Sequence, residues 1–288
     1  MDKILVTGAT GRTGREVVRL LLEAQAPVRV FVRNHDAAAS LERMGAEPAM
    51  GDFEQPDTIT AALDGVRKLF LLTPADPSMV DHQGQTVEAA KRAGIDYIVK
   101  VSALGADAAS PVSFARWHAR AERHIEESGI AYTHLRPHYF MQNTLLFAPS
   151  IAAENRFYAP MRDGRIGLVD CRDVAAVAAR LLTDTVRENR VYEITGGTAL
   201  SFAELASHIG AALGRTVTYV DVRPSEAEKA MLSAGIPGWL AEALIDLYGI
   251  FSANHASATT NVIDEVTGKA PRTFAAFAHE HAGVFANT

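Results

Sequence analysis

The stretch Ile4-Leu5-Val6-Thr7-Gly8-Ala9-Thr10-Gly11-Arg12-Thr13-Gly14 decides the fold of this 288-residue chain. An apolar strand leads into three glycines spaced Gly-x-x-Gly-x-x-Gly, and a helical stretch follows. In a dinucleotide-binding loop, the first glycine permits a tight turn, the second lets the backbone approach the pyrophosphate, and the third lets strand and helix pack closely. We therefore expect a bound dinucleotide, and the other interpretation is a plain glycine-rich turn.

Beyond this loop, short apolar runs alternate with helical stretches, which is typical of a parallel sheet covered on both faces. Four glycines follow helical runs and are expected to end them: Gly45, Gly65, Gly94 and Gly129. The predicted strands are Ile4 to Thr7, Val28 to Val32, Glu47 to Met50, Lys68 to Leu72, Tyr97 to Val101 and Tyr132 to Leu135. Right-handed crossovers between them predict an α/β fold with a Rossmann-type doubly wound parallel sheet.

After about Arg136 the alternation loosens, which predicts a small C-terminal α/β lobe. We expect a dinucleotide-binding Rossmann domain over residues 1–150, and a lobe over residues 151–288 with some segments returning to the sheet. Capping boxes at Ser201 to Glu204 and Ser225 to Glu228 predict two helix starts, and Asp173 is expected to cap a helix over Val174 to Leu182. A strand over Val217 to Val222, a helix over Pro237 to Tyr248 and a polar loop over Asn254 to Asn261 complete the lobe.

Composition and charge exclude several classes of protein. The net charge of −6 argues against nucleic acid as the main partner, because binding phosphates requires a surplus of Lys and Arg. A single cysteine, Cys171, excludes an intrachain disulfide framework, and the ten histidines show no metal-ligand spacing. No apolar run reaches the roughly 20 residues of a membrane helix, and no leader pattern opens the chain. We expect a cytoplasmic protein with no metal, and a homo-oligomer is compatible with these data.

Two arginines favour NADP(H) over NAD(H). NAD sites usually place an acidic residue at the end of the second strand to hold the ribose hydroxyls, whereas this chain has Arg33 there. The planar guanidinium suits the 2′-phosphate of NADP, and Arg12 in the loop adds a second cation. The other interpretation is that both arginines are solvated surface residues.

Further cofactor contacts are expected at the carboxyl ends of other strands. Asp52 could accept from the adenine amino group with Phe53 against the ring, or Asp52 could cap the helix that begins at Pro56. The full set of expected cofactor contacts is Gly8, Thr10, Gly11, Arg12, Thr13, Gly14, Arg33, Asp52, Phe53, Thr73, Pro74, Ala75, Ser102, Pro137, Tyr139 and Phe140. Strand-end turns remain the alternative for Thr73 to Ala75 and for Ser102, and core packing remains the alternative for the aromatic residues.

The chain resembles the atypical short-chain dehydrogenase/reductases of the NmrA-like family, and most closely their NAD(P)H:quinone oxidoreductase and triphenylmethane reductase branch. The resemblance covers nearly the whole chain. It rests on the glycine loop together with Val32-Arg33-Asn34, Gly51-Asp52-Phe53, Val101-Ser102-Ala103-Leu104-Gly105, Leu135-Arg136-Pro137 continuing to Asn143, Asp170-Cys171-Arg172-Asp173-Val174-Ala175 and Tyr192-Glu193-Ile194-Thr195-Gly196. It implies an extended Rossmann domain with substrate bound in a cleft beside the C-terminal lobe.

The resemblance also limits the chemistry. Typical short-chain dehydrogenases transfer a proton with a Tyr-x-x-x-Lys pair, whereas this chain has Phe114 and His118 at that place. Ordinary alcohol dehydrogenation is therefore unexpected. His118 lies at the histidine position of the quinone reductase branch and is the candidate general acid, with Glu122 one turn away to orient it. The other interpretation is a surface His-Glu pair. Ser102 is a second candidate catalytic residue.

These features together predict an NADPH-dependent reductase that passes hydride directly to a small, flat electrophile. A quinone, a dye or a related conjugated compound would fit, because such an acceptor needs little beyond a well-placed hydride donor. The alternative is a non-catalytic NADP(H)-binding redox sensor that acts through a protein partner, as family resemblance alone does not settle catalysis.

Overall fold

The computed structural model describes residues 2–286 as an α/β fold around one parallel sheet. Its strands are β1 (Ile4–Val6), β2 (Val28–Val32), β3 (Glu47–Met50), β4 (Lys68–Leu71), β5 (Tyr97–Val101), β6 (Ala131–Pro137), β7 (Arg156–Ala159), β8 (Arg165–Ile166), β9 (Arg190–Ile194), β10 (Leu200–Ser201) and β11 (Thr218–Asp221). The main sheet has the order β3-β2-β1-β4-β5-β6-β9, and every pairing in it is parallel. The predicted doubly wound parallel sheet is confirmed.

Helices cover both faces of this sheet. They are α1 (Arg12–Glu23), α2 (His35–Arg43), α3 (Pro56–Ala62), α4 (Met79–Arg92), α5 (Ser113–Ser128), α6 (Ala148–Glu154), α7 (Cys171–Thr183), α8 (Phe202–Leu213), α9 (Pro224–Ser233), α10 (Gly238–Ser252), α11 (Val262–Thr267), α12 (Phe274–Glu280) and α13 (Ala282–Ala286), with a 3-10 helix over Met141–Phe147. Across residues 2–286, no helix is both long and apolar enough to span a membrane.

The strands bury apolar side chains on both faces, which explains their nearly continuous apolar sequences. One core packs the sheet against α1, α2 and α7, and a second packs it against α3, α4 and α5. The four glycines expected to end helices all have positive φ, between 69° and 104°. The chain order reverses between β1 and β4, so a crevice opens outside the carboxyl ends of these strands, where doubly wound folds bind ligands.

The C-terminal part builds a further apolar core beside that edge. There β7 pairs with β11 and β8 pairs with β10, while α7, β9 and α11 return to the main sheet. The strand predicted over Val217 to Val222 corresponds to β11, and the helix predicted over Pro237 to Tyr248 corresponds to α10. No helix or strand interrupts the predicted loop over residues 254–261.

Two predicted helix starts are wrong. Asp170, not Asp173, caps α7 by accepting from the backbone N–H of Arg172 at 2.9 Å, because the helix begins three residues earlier than its apolar run. The second capping box also lies earlier than expected. Pro224 takes the first helical position of α9, which suits a residue with no N–H, and Glu226 accepts from the backbone N–H of Arg223. The box at Ser201 and Glu204 is confirmed.

Candidate functional site

The glycine loop links β1 to α1 at the reversal point of the sheet. Gly8 has a φ of +63°, and a Cβ at this position would lie 2.8 Å from the carbonyl oxygen of Leu72. A Cβ on Gly14 would lie only 2.1 Å from the carbonyl oxygen of Gly8. Both glycines are therefore required by close backbone packing, as the loop's role predicts.

The N-terminus of α1 is open to a ligand. Gly11 is its N-cap residue, and no side chain among residues 2–286 caps the helix. The first N–H groups of a helix have no partner within it, and the helix dipole makes this end favourable for an anion. Thr10, Gly11 and Arg12 are exposed, whereas Thr13 and Gly14 are buried against the sheet. The arrangement fits the pyrophosphate of a dinucleotide.

The two predicted arginines make different contacts. The Arg33 side chain is 70% exposed, and its Nη1 lies 3.8 Å from a carboxylate oxygen of Asp52. Such a long, exposed ion pair contributes little, so the guanidinium can turn to a phosphate. Nη1 of Arg12 donates to the carbonyl oxygen of Gln142 at 3.2 Å, which ties the loop to the 3-10 helix.

Asp52 and Phe53 follow β3 beside this arginine. Asp52 does not cap α3, because Gln55 is the N-cap residue of that helix. Its carboxylate instead accepts from the backbone N–H of Glu54 at 3.1 Å. The Phe53 ring stacks on His82 with 5.8 Å between centroids. Both predicted residues thus lie at the strand end, with their polar and aromatic groups partly exposed.

The next strand ends at Thr73, Pro74 and Ala75. Thr73 is buried, and its hydroxyl oxygen accepts from the amide of Gln83 at 2.8 Å. Pro74 and Ala75 are exposed at the crevice. The hydrogen bond fixes the strand end, and the two following residues are the ones available to a ligand.

A cavity of about 470 Å³ lies between the carboxyl ends of β5 and β6, the start of α5 and one side of α10. The structure brings many of the predicted residues into its wall: Ala75, Ser102, His118, Pro137, Tyr139 and Phe140. Apolar side chains form much of the remainder: Phe114, Leu240, Leu244, Leu247, Ile250 and Phe251. Three aromatic residues of α10 differ in their surroundings: Phe251 lines the cavity, Trp239 packs on Trp117 and Tyr248 is buried in the adjoining core.

Behind the cavity wall, His118 forms a hydrogen bond with a buried lysine. Nζ of Lys100 lies 2.9 Å from Nδ1 of His118, and the Lys100 side chain is fully buried in β5. Burial lowers the pKa of Lys100 to about 7. Burial, and then the nearby Lys100 charge, hold the pKa of His118 well below its ordinary value. The imidazole is therefore neutral at pH 7.

The predicted pairing of His118 with Glu122 is wrong. Both carboxylate oxygens of Glu122 accept from Arg136 on β6, at 3.0 and 2.6 Å. A guanidinium offers two parallel donors to a carboxylate, which makes this buried pair more favourable than a single contact to an imidazole. Burial raises the pKa of Glu122, but the Arg136 hydrogen bonds outweigh it and the net shift is downward.

Two further features lie beside this ion pair. The Ser102 hydroxyl is buried in the cavity wall and makes no hydrogen bond of ordinary geometry within residues 2–286, although it lies near enough to the Glu122 carboxylate to lower its pKa. A buried hydroxyl without a well-formed hydrogen bond is a candidate contact for a ligand. Glu122, Glu126 and His134 also approach one another within 4.8 Å. Arg136 already binds both oxygens of Glu122, so we do not assign a metal to this cluster.

One feature of the sequence indicates that Lys100 is buried and has a partner. A lysine in the middle of a strand that is apolar on both faces has no solvent to reach, and buried lysines are rare without a partner. The partner could not be identified from the sequence, because His118 lies on the following helix, 18 residues away.

Comparison with known proteins agrees with this architecture. The NmrA-like family model matches residues 1–278. The NAD(P)H azoreductase of Xenophilus azovorans is 41% identical over 98% of this chain and 99% of its own. The quinone oxidoreductase QOR2 of Escherichia coli, crystallised with NADPH, is 30% identical with a TM-score of 0.89, covering 96% of this chain and 99% of its own. Triphenylmethane reductase from Citrobacter sp., crystallised with NADP(H), is 26% identical with a TM-score of 0.85, covering 97% and 99%.

Proposed function

This chain belongs to the NmrA-like family, as its sequence predicted, and from that premise we propose that it is an NADPH-dependent reductase of small, flat, electron-poor molecules. Azo compounds, quinones and conjugated dyes are the substrate class. The names of the relatives support an NAD(P)H-dependent oxidoreductase, and the two relatives crystallised with NADPH or NADP(H) support the expected cofactor.

The residues around the glycine loop fit that cofactor. The uncapped N-terminus of α1 would hold the pyrophosphate, and the close packing of Gly8 and Gly14 sets the position of the loop. Arg33, whose ion pair with Asp52 is long and exposed, would hold the 2′-phosphate. Phe53 and Asp52 would border the adenine. When bound, the cofactor supplies a hydride from its nicotinamide ring.

The cavity carries the proposal for the substrate. It adjoins Ser102 and Pro137 at the ends of β5 and β6, where the nicotinamide is expected, and its opposite wall is the apolar side of α10. An apolar cavity with a few convergent polar groups is typical of a small-molecule site. Phe114, Phe251 and the leucines of α10 would exclude water and hold a flat ring system against the hydride donor.

Polar side chains in the wall would complete the reaction. Phe114 has no proton to donate, so an acid must come from elsewhere. His118 lines the cavity, and we propose it as the proton donor, with the Ser102 hydroxyl orienting the acceptor or the nicotinamide amide. These roles fit an acceptor that is electrophilic enough to take hydride without the usual tyrosine.

The test is single-turnover oxidation of protein-bound NADPH by a panel of azo dyes, quinones and cationic dyes in a stopped-flow instrument. We expect at least one acceptor to oxidise the bound cofactor much faster than it oxidises free NADPH. If no acceptor does so, the reductase proposal fails, and the sensor function becomes the better account of a cofactor site without turnover.

A further inference from the structure

Lys100 is a buried charged residue beside the cavity that has no role in the proposed function. It occupies the fourth position of the five-residue strand β5, and its side chain is fully buried. Its register neighbours are Leu71 on β4 and His134 on β6, so it lies inside the sheet. Burying an ammonium group is costly, which demands partners that compensate.

Those partners direct the lysine towards the cavity. Nζ of Lys100 lies 2.9 Å from Nδ1 of His118 and donates to the carbonyl oxygen of Val101 at 3.3 Å. His118 lines the cavity, whereas Lys100 does not. With Nδ1 bonded to the lysine, Nε2 is the ring nitrogen left to face a substrate. An ammonium group has donors and no acceptor, so it fixes the imidazole as the tautomer with its proton on Nε2.

We propose that Lys100 is a positioning residue that orients His118 and supplies it with a proton, and that the site therefore serves acceptors whose reduction requires a proton as well as a hydride. This inference rests on the proposed reductase function. It names the acceptors that depend on Lys100: neutral azo compounds and quinones, whereas a dye that is already cationic can take hydride without it.

The charges around Lys100 allow it to exchange a proton near neutral pH. The groups that face it are His118 and Glu122 from α5, and Arg136 and His134 from β6. Glu122 favours the lysine's charge, but Arg136 neutralises this carboxylate and opposes that charge. His134 is buried, its pKa is lowered to about 4, and it is neutral at pH 7. Burial then dominates and brings the pKa of Lys100 to about 7, which suits an acid that works at neutral pH.

These contacts determine where each proton goes when the acceptor is reduced. Hydride adds to one atom of the acceptor's double bond, and the Nε2–H bond of His118 breaks as a new bond to hydrogen forms at the other electron-rich atom. Nδ1 takes a proton from Lys100 at the same time, so the imidazole stays neutral and Lys100 changes from ammonium to amine. Water returns a proton by the reverse path, through Nε2 and then Nδ1. An azo compound becomes a hydrazine in this step. In a quinone, the hydride goes to one carbonyl oxygen and the proton to the other, which gives a hydroquinone.

Two kinds of acceptor separate this role from a structural one. A cationic triarylmethyl dye becomes neutral on receiving hydride and needs no proton. A neutral azo dye needs both. Removing Lys100 should therefore slow the azo dye far more than the cationic dye, whereas damage to the fold or to cofactor binding would slow both dyes alike.

We would compare wild type, Lys100→Met and Lys68→Met, each saturated with NADPH, in single-turnover reactions with 4-aminoazobenzene and with malachite green. Lys68 is the matched control, because it is also buried in a strand but donates to the carbonyl oxygens of Leu182 and Asp184, away from the cavity. We expect Lys100→Met to lose about 100-fold in rate with the azo dye, which is within the usual effect of general acid catalysis, and less than about threefold with malachite green. Lys68→Met should slow both dyes by the same factor.

A second measurement does not depend on turnover. ¹⁵N NMR of histidine-labelled wild-type protein should show neutral His118 with its proton on Nε2, and Lys100→Met should shift this signal because nothing then fixes the tautomer. Equal losses with both dyes, or a wild-type His118 that carries its proton on Nδ1, would overturn the inference. If Lys100→Met does not fold, the wild-type tautomer still decides. Oxidation of bound NADPH by neither dye in wild type would instead count against the reductase function itself.

Discussion

The glycine loop and the cavity beside α10 lie at the same edge of the sheet but are built in opposite ways. The loop is one continuous stretch from Gly8 to Gly14, and it acts through backbone groups whose positions depend on the absence of side chains. The cavity is built by side chains from β5, β6, α5 and α10, which are far apart in the chain. The comparison shows why a cofactor can be identified from a short motif, whereas an acceptor requires the folded structure.

The largest loss of stability is expected at Gly14, where the loop has no space for a side chain. Gly14→Ala would place a Cβ 2.1 Å from the carbonyl oxygen of Gly8, which forces strand and helix apart. We expect a loss of roughly 3 kcal/mol or more in the free energy of unfolding, since overpacking at backbone cannot be relieved by a rotamer change. NADPH binding should be lost as well. Chemical denaturation and NADPH fluorescence measure the two effects.

Gly11→Ala is the control for that change. Its Cβ would lie 3.3 Å from the same carbonyl oxygen, a contact that small shifts can relieve. We expect a much smaller loss of stability than for Gly14→Ala. Equal losses of stability in the two variants would contradict the view that close packing between Gly14 and Gly8 fixes the conformation of the loop.

Cofactor choice should depend on one side chain beside the loop. Arg33→Asp replaces the proposed 2′-phosphate ligand with a like charge, and we expect NADPH affinity to fall about 30-fold or more, in line with the roughly 2 kcal/mol of a charged hydrogen bond. NADH affinity should stay constant or rise, because a carboxylate suits ribose hydroxyls. Isothermal titration with both cofactors measures this. Arg43→Asp, at the exposed end of α2, is the control and should change neither.

The same contrast explains what the sequence could predict. Strand and helix alternation is local, so β1 to β6 were predicted to within two residues at each end. The glycines that end helices were also predicted correctly, because each depends only on the positive φ of that one residue. The Asp173 cap was wrong because Asp173 instead accepts from the backbone N–H of Arg272, 99 residues away, at 2.8 Å. Local capping preference carries no information about such a partner.

The site was predictable only in part for the same reason. The family resemblance identified His118 as a candidate. Helical spacing then predicted Glu122 as its partner, because Glu122 lies one turn further along the helix. In the fold, Arg136 approaches from the neighbouring strand and binds that carboxylate, which leaves Lys100 as the contact of His118. Both contacts arise only when β5, β6 and α5 come together. The role of α10 in the cavity could not be predicted from helical spacing, which fits core packing equally well.

Replacing the buried lysine should change how stability depends on pH, whereas replacing a glycine of the loop should not. Lys100 titrates near 7 in the folded chain and near its ordinary value when unfolded, so the unfolded state binds more protons between pH 7 and 10. Wild-type stability therefore gains from this group as pH rises, and Lys100→Met lacks that gain. From pH 7 to pH 9, we expect the stability of Lys100→Met relative to wild type to fall by roughly 2 kcal/mol.

Urea denaturation of both proteins at the two pH values gives this difference, and groups common to both proteins cancel. His118 titrates below this window and does not interfere. Gly11→Ala should show no such dependence, because it changes no titratable group. A difference between Lys100→Met and wild type that is constant from pH 7 to 9 would mean that Lys100 keeps an ordinary pKa inside the sheet.

The smallest expected effect tests whether the cavity can change without the loop. Leu244 on α10 lines the cavity and is only partly buried, so Leu244→Trp has room to extend its ring into the space that a substrate would occupy. We expect KM for a large azo dye to rise about tenfold, or roughly 1.4 kcal/mol, with little change in kcat once substrate is bound. NADPH affinity should not change, because the loop's backbone contacts do not involve α10. Steady-state kinetics and cofactor titration of the same preparation measure both quantities, and a parallel loss of NADPH affinity would show that the two regions are coupled, contrary to the independence argued from their construction.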